Sequence, residues 1–249
     1  MTHLKTNNPY DPLLPLSEYN ENDDKDWFEK MIDKYGFQTG DLLLFEHTYD
    51  WKNLKDLLFN VMDSTIGYLT RSKYTHTAMI IKDPCWRSDL KGYYLLESNW
   101  EYIKDSEDNE IKIGVELMPL KKIFELNGVN KLWYRKLRCK RDEMFDIRLE
   151  RAQSVVHNRP YDLDLFDWVK ALFGVHKGNE RKKDTFWCSA LMAYMYVQFG
   201  FLPEGLDWTI VSPMQLGTEY PNKSLLFQNC ELNPEILLEY NTLEPNASH

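Results

Sequence analysis

Short apolar runs with turn residues near their ends dominate the first half of the chain, and this pattern is typical of β-strands. Each run is shorter than an ordinary globular helix, and Gly, Pro, Asp or Asn residues lie at or close to its boundaries. The runs predict five strands, over residues 40–45, 75–81, 93–97, 111–117 and 131–137.

Apolar residues recur at helical spacing elsewhere, which predicts six further segments as helices. These segments are residues 26–35, 54–70, 119–126, 142–157, 163–173 and 187–199. The part of the chain after the last strand contains only helical patterns, so strands come first and helices follow. That order predicts an α+β fold in which an antiparallel sheet packs against a helical layer.

The domain organisation predicted from composition is one folded domain with two extended ends. Residues 1–25 are rich in Pro, Asn and Asp and predict an extended N-terminal arm, and residues 238–249 predict a flexible C-terminal tail. Nothing between these ends resembles a linker, so residues 26–237 are predicted to form a single domain. The hydrophobic content, 43% of 249 residues, is sufficient for a core.

The charge of the chain argues against several classes of partner. The formal net charge is −9, so we expect no nucleic-acid partner. No apolar run is long enough for a membrane-spanning helix and no secretory signal opens the chain, so we expect a cytoplasmic protein without a transmembrane segment. The four cysteines show no CxxC spacing, and we expect free thiols in a reducing compartment, with no metal site and no cofactor.

One cysteine stands where a nucleophile is favoured. Cys188 follows Asp184 and Thr185, either of which can cap the predicted helix and so place Cys188 in its first turn. Free backbone N–H groups and the helix dipole stabilise a thiolate at that position. The alternative interpretation is a small residue that packs the helix against the sheet, and position alone favours that alternative.

A histidine and a glutamate on two predicted strands are candidates for the other roles in cysteine catalysis. His76 lies in an apolar strand, where the backbone would hold its ring in one orientation, as a general base requires. If strands 75–81 and 93–97 pair as a hairpin, Glu97 lies beside His76 and can orient the imidazole. The alternatives are a strand histidine satisfied by a neighbouring carbonyl and a surface carboxylate.

Five motifs, taken in order, resemble the circularly permuted NlpC/P60 (permuted papain-like) cysteine hydrolases in their YiiX/YebB-like branch. They are a Gly-Asp strand, a histidine strand, a glutamate strand, a Pro-Tyr-Asp turn and a cysteine helix. They lie at residues 40–45, 72–80, 95–98, 158–162 and 186–191. The chain departs from the family at Thr75, where Ser is commoner, and at Ala190, where Glu is often found. Segments 82–84 and 206–209 look closest to members from giant viruses.

The resemblance implies a circularly permuted papain-like fold, in which the histidine strand precedes the helix that carries the nucleophile. It implies Cys188 as the nucleophile, His76 as the base and Glu97 as the residue that orients the base. It also implies that Tyr161 lies near the site and helps to bind the oxyanion.

The function implied by the resemblance is hydrolysis of an amide or ester bond through an acyl-enzyme on Cys188. The substrate would be an acyl-amide, a peptide or a lipid, with peripheral membrane or virion association as further expectations. The apolar segment 54–70 is a candidate lid or acyl-chain wall, and ordinary core packing is the alternative that base rates favour. One alternative is a catalytically idle papain-like structural or interaction module, for instance a virion component. Another is acyl transfer to a lipid or protein acceptor in place of water, which the sequence does not separate from hydrolysis.

Overall fold

The computed structural model describes residues 26–46, 72–99, 104–124, 131–160, 187–219 and 221–239. The chain divides into two units, Met1–Gly36 and Phe37–His249. The first unit contains helix α1 (Trp27–Tyr35), which begins after Asp26 and ends at Gly36, in the left-handed conformation that favours glycine. This helix is the one predicted over 26–35.

A six-stranded antiparallel sheet forms the centre of the second unit, with strand order β4-β3-β2-β1-β5-β8. A separate two-stranded sheet pairs β6 with β7. The strands are β1 (Leu42–Glu46), β2 (His76–Lys82), β3 (Tyr93–Asn99), β4 (Gly114–Pro119), β5 (Lys131–Arg135), β6 (Leu137–Arg138), β7 (Glu231–Leu232) and β8 (Ile236–Leu237). The predicted α+β class with an antiparallel sheet is confirmed.

The central strands are buried on both faces, and this explains why their sequences are continuous apolar runs. In β1 every residue from Leu42 to Phe45 is buried, and in β2 every residue from His76 to Ile81 is buried. A strand with both faces covered needs no polar alternation. Consequently the buried polar side chains in these strands are the exceptions that need an explanation.

Within the described residues, the α-helices that accompany the sheet are α2 (Leu120–Ile123), α3 (Glu143–Val156) and α4 (Cys188–Gln198). The Asp142 side chain caps α3 by accepting a hydrogen bond from the backbone N–H of Phe145 at 3.2 Å. Helix α4 packs against β2, β3 and α3, and nearly all of its residues are buried. Being enclosed, α4 is apolar all round and has no solvent-facing polar stripe.

Several details of the elements differ from the sequence prediction. Pro119, predicted to begin a helix over 119–126, is instead the last residue of β4, because it has extended backbone angles and pairs with Tyr94. The predicted strand 131–137 ends at Arg135, because Leu137 pairs with Leu232 in the second sheet. Strands β7 and β8 were not predicted, since two residues are too few for a periodic pattern.

Gly114 sets the start of β4, three residues later than predicted. Its φ is +147°, and a Cβ atom there would lie 2.2 Å from the carbonyl oxygen of Arg159. The N–H of Val115 donates to that same oxygen at 2.8 Å, and Gly114 bridges to Pro160. Only glycine permits this approach. The start of the Pro-Tyr-Asp turn therefore lies against Gly114, the first residue of β4, which pairs with Asn99.

Several predictions concern residues outside the described ranges. These are the arm 1–25, the helices over 54–70 and 163–173, Tyr161, and most of the tail 238–249. Within the described ranges, no helix has the length and apolar character needed to cross a membrane.

Candidate active site

His76 and Glu97 meet at one end of the hairpin formed by β2 and β3. The antiparallel pairing of these strands extends from Lys82 opposite Tyr93 to Met79 opposite Leu96. His76 and Glu97 lie just beyond the last of these pairs. Nε2 of His76 is 2.6 Å from Oε2 of Glu97, and the Glu97 side chain is fully buried. The contact expected from the hairpin is therefore present.

Cys188 lies next to this pair because helix α4 packs against both strands. It is the first residue of α4, and its side chain both hydrogen-bonds to His76 and interacts with it electrostatically. The residue before the helix is Trp187, so neither Asp184 nor Thr185 occupies the capping position proposed from the sequence. The helix begins later than that prediction assumed, and no side chain caps it.

The surroundings of His76 favour its charged form. Burial by itself opposes a charge on the ring, but interactions with the Cys188 side chain and then with Glu97 outweigh it. Together they raise the pKa of His76 well above its ordinary value. A hydrogen-bond acceptor and a nearby negative charge each stabilise an imidazolium ring.

The two ring nitrogens of His76 have different partners. A carboxylate can only accept a hydrogen bond, so the short contact with Glu97 places a proton on Nε2. Nδ1 is the nitrogen left for a second partner. Fixing one nitrogen on a carboxylate orients the other, which is what a base acting on a neighbouring nucleophile requires.

Packing holds the imidazole in place as well as hydrogen bonding. Phe45 is the cross-strand partner of His76, and their rings meet edge to face with centroids 4.9 Å apart. Both residues are buried, at 1% and 7% relative exposure. A ring enclosed in this way has few alternative rotamers, so its direction is set by the sheet.

Two more polar residues share the buried face of the sheet with Glu97. Asn99, two residues along the same strand, donates from Nδ2 to Oε1 of Glu97 at 3.3 Å. Glu116 of β4 is the direct cross-strand partner of Glu97 and is 1% exposed. Sequence reasoning missed both. Their signal was available, because residues two apart in a strand share a face and a Glu between Val115 and Leu117 interrupts an apolar run.

The side chains of the two residues that flank Cys188 donate hydrogen bonds to the same backbone carbonyl group. The indole Nε1 of Trp187 donates to the carbonyl oxygen of Val211 at 3.2 Å, and the Ser189 hydroxyl donates to the same oxygen at 2.6 Å. Both side chains are buried. This clamp fixes the backbone on each side of Cys188 and therefore the position from which its sulfur projects.

The start of α4 also supplies hydrogen-bond donors. The first backbone N–H groups of an α-helix have no partners within the helix, and no side chain caps this end. Such groups stabilise a developing oxyanion when a carbonyl carbon is attacked from the adjacent thiol. Tyr161, expected from the family resemblance to assist here, lies outside the described residues.

The Gly-Asp motif at the start of β1 has a structural role. Asp41 is fully buried, and its Oδ2 accepts from the Tyr134 hydroxyl at 2.6 Å and from the N–H of Gln38 at 2.9 Å. Its Oδ1 accepts from the N–H of Leu137 at 2.9 Å. Burial raises the pKa of Asp41, and these hydrogen bonds act against that rise. The carboxylate joins the start of β1 to β5 and β6.

No group of three or more His, Cys, Asp or Glu side chains suited to a metal ion occurs in the part of the chain that the structure describes. The arrangement around Cys188 consists instead of its own thiol, the imidazole of His76 and the carboxylate of Glu97. The imidazole interacts with both of the other groups. Chemically, this arrangement can present a sulfur nucleophile, take and return a proton, and keep the proton carrier oriented.

No protein-family model matches the chain, and no curated protein matches it in sequence. Among solved structures, the chain is similar to the crystal structure of the metalloprotein YiiX from Escherichia coli O157:H7. The sequence identity is 15% and the TM-score 0.42, over 81% of this chain and 96% of that one. A likeness this distant assigns neither a family nor an activity.

Proposed function

We propose that the chain is a cysteine hydrolase of amide or ester bonds, with a circularly permuted papain-like fold. Cys188 is the nucleophile, His76 the base and Glu97 the residue that orients the base. The observation that carries the proposal is the imidazole of His76, which contacts Glu97 through Nε2 at 2.6 Å and interacts with Cys188 at the start of α4.

The mechanism is acyl transfer through a thioester. The sulfur of Cys188 attacks the substrate carbonyl, and backbone N–H groups at the start of α4 hold the oxyanion. The imidazolium of His76 protonates the leaving amine or alcohol as the tetrahedral intermediate collapses. Water, deprotonated by the now neutral His76, then releases the acid product and regenerates the thiol.

The order of the functional residues along the chain supports a permuted fold. The strand with His76 precedes the helix with Cys188, and the sheet is formed largely before the helix. A papain-like arrangement in which the two halves have exchanged order would give this sequence of elements. Segment 54–70 and Tyr161 keep the roles expected above as parts of this proposal.

Acyl-enzyme trapping tests the proposal. The protein is mixed with p-nitrophenyl esters and acyl-amides of short and long chain, stopped in acid, and mapped by peptide mass spectrometry. We expect an adduct on Cys188 that hydroxylamine removes, absent from Cys188→Ala and reduced in His76→Ala. Cys85 is exposed and serves as the control for non-specific acylation. Adducts on Cys85 but not on Cys188 would refute the proposal.

One observation favours the second candidate function, a catalytically idle papain-like structural or interaction module. Cys188 is only 3% exposed, so a substrate reaches its sulfur only if the surrounding chain moves. Alkylation under native conditions distinguishes the two functions. An idle module leaves Cys188 unmodified until denaturant is added, whereas the hydrolase is modified in its folded state, with Cys85 modified in both cases.

A further inference from the structure

Two cysteines outside the candidate active site, Cys139 and Cys230, each lie one residue beyond the paired residues of the second sheet. Strands β6 and β7 pair antiparallel, with Leu137 opposite Leu232 and Arg138 opposite Glu231. Continuing this register by one residue places Cys139 opposite Cys230. Neither the sequence motifs nor the proposed hydrolase mechanism uses this pair.

The hydrogen-bond pattern shows which kind of cross-strand pair the cysteines form. The N–H of Asn233 donates to the carbonyl oxygen of Lys136 at 2.9 Å, so this pair is of the hydrogen-bonded kind. The two kinds alternate along an antiparallel ladder, which makes Cys139 and Cys230 a non-hydrogen-bonded pair. Such residues have Cα atoms about 4.5 Å apart and side chains close together. A disulfide requires Cα atoms roughly 4.4–6.8 Å apart.

The environment of both thiols agrees with this placement. Side chains alternate along a strand, so Cys139 lies on the same face as Leu137, and Cys230 on the same face as Leu232. Both leucines belong to the buried core, and both cysteines pack against it. Each cysteine is a free thiol of intermediate burial.

The charge interactions also indicate proximity. Burial raises the pKa of Cys230 to about 12, and the neighbouring Cys139 adds to that rise. Burial likewise raises the pKa of Cys139. Both thiols contribute to the raised pKa of Tyr196 on helix α4, where burial is again the main cause. The two sulfur atoms therefore share one small environment beside α4.

We propose that Cys139 and Cys230 form a cross-strand disulfide when the protein meets a small-molecule disulfide oxidant. One protein thiolate attacks the oxidant, forming a mixed disulfide and expelling one thiolate. The second protein thiolate attacks the protein sulfur of that mixed disulfide, forming the cross-strand S–S bond and expelling the other thiolate. Two protein thiols are oxidised, the oxidant is reduced to two thiols, and the two S–H protons pass to them.

The bridge would have two consequences for the molecule. It closes the chain between residues 139 and 230, a segment that contains α3 and α4, and so constrains the unfolded state. Because thiolates carry out the exchange and both thiols are protonated near neutral pH, the bridge forms slowly at pH 7 and faster as pH rises. Cys188 is not consumed.

The test is oxidation of the full chain with oxidised glutathione at pH 7 and pH 9, followed by non-reducing peptide mapping and thermal unfolding. We expect a cross-linked peptide joining Cys139 to Cys230, formed several-fold faster at pH 9. We also expect the midpoint of thermal unfolding to rise by roughly 5–10 °C and to return to its original value when the bridge is reduced. The matched variants Cys139→Ser and Cys230→Ser should lose the cross-link and the rise, whereas Cys85→Ser should keep both.

Glutathione adducts that persist on Cys139 or Cys230 without a cross-link would overturn the proposal, as would a bridge to Cys85 or Cys188. The mapping of the unsubstituted chain decides this even if a variant fails to fold. The outcome is independent of the proposed hydrolase function, which is tested by acylation of Cys188 alone.

Discussion

Two fully buried carboxylates, Asp41 immediately before β1 and Glu97 in β3, have different kinds of partner. Asp41 is surrounded by hydrogen-bond donors that have no role in proton transfer, namely two backbone N–H groups, the Tyr134 hydroxyl and, at 3.4 Å, the guanidinium of Arg141. Glu97 makes its shortest contact with an imidazole that can gain and lose a proton. Burial of a carboxylate does not define its function, whereas the chemistry of its partners does.

The largest expected effect is the loss of stability when Asp41 is substituted. In Asp41→Asn an amide NH₂ group replaces one carboxylate oxygen. Each of these oxygens accepts a hydrogen bond from a backbone N–H, and an NH₂ group cannot accept that bond. We expect the free energy of unfolding to fall by about 2–3 kcal/mol, since a buried donor is left unsatisfied. Urea denaturation measures this. Alkylation of Cys188 in the folded variant should keep its wild-type pH profile, and a changed profile would mean that Asp41 belongs to the site.

The matched substitution at Glu97 should change the alkylation rate of Cys188 more than it changes the stability of the fold. Glu97→Gln keeps an oxygen that can accept from Nε2 of His76 but removes the negative charge. We expect about a 10-fold slower alkylation of Cys188 at pH 6, equivalent to about 1.4 kcal/mol, with a smaller loss of stability than in Asp41→Asn. Iodoacetamide kinetics give the rate. An unchanged rate together with a large loss of stability would assign Glu97 a structural role like that of Asp41.

The pH dependence of stability should also distinguish the two carboxylates. The folded-state pKa of His76 is raised above its unfolded value. Its charged interactions therefore stabilise the fold fully below about pH 6.5, and this contribution is lost as pH rises through the raised value. Urea denaturation between pH 6 and pH 9 should show this decline in wild type and a weaker decline in Glu97→Gln. Equal declines would contradict the assignment, with Asp41→Asn as the control.

The smallest expected effect concerns the clamp around Cys188. Ser189→Ala removes one of the two hydrogen bonds to the Val211 carbonyl, while the bond from Trp187 remains. We expect a loss of about 1 kcal/mol in the free energy of unfolding and an alkylation rate at Cys188 within about twofold of wild type. A loss of several kcal/mol, or an abolished rate, would show that the hydroxyl does more than hold the backbone.

The sequence was sufficient for the longer strands, for helices α1, α3 and α4, and for the contact between His76 and Glu97. That contact followed from one hairpin, which is a local structure. The role of Asp41 was not predictable, because its partners lie on segments that only the folded sheet brings together. The pairing of Cys139 with Cys230 likewise depends on a register between strands of two residues, which leave no pattern in the sequence.

The most direct test of the central claim is the alkylation rate of all four cysteines between pH 5 and pH 9, in wild type and in His76→Ala. Limited access to a buried thiol lowers its rate by the same factor at every pH, so the shape of the profile reports the thiolate. Cys85 and Cys230 have a pKa raised to about 11 and about 12, and that of Cys139 is also raised. Their rates should therefore climb throughout this range.

The account predicts that the rate of Cys188 alkylation depends on the imidazole of His76. It predicts a rate at pH 6 that is about 100-fold lower in His76→Ala, since a thiol without a partner is mostly protonated there. A Cys188 rate that climbs with pH in the same way as that of Cys85, and that His76→Ala leaves unchanged, would contradict an activated thiolate and with it the proposed hydrolase.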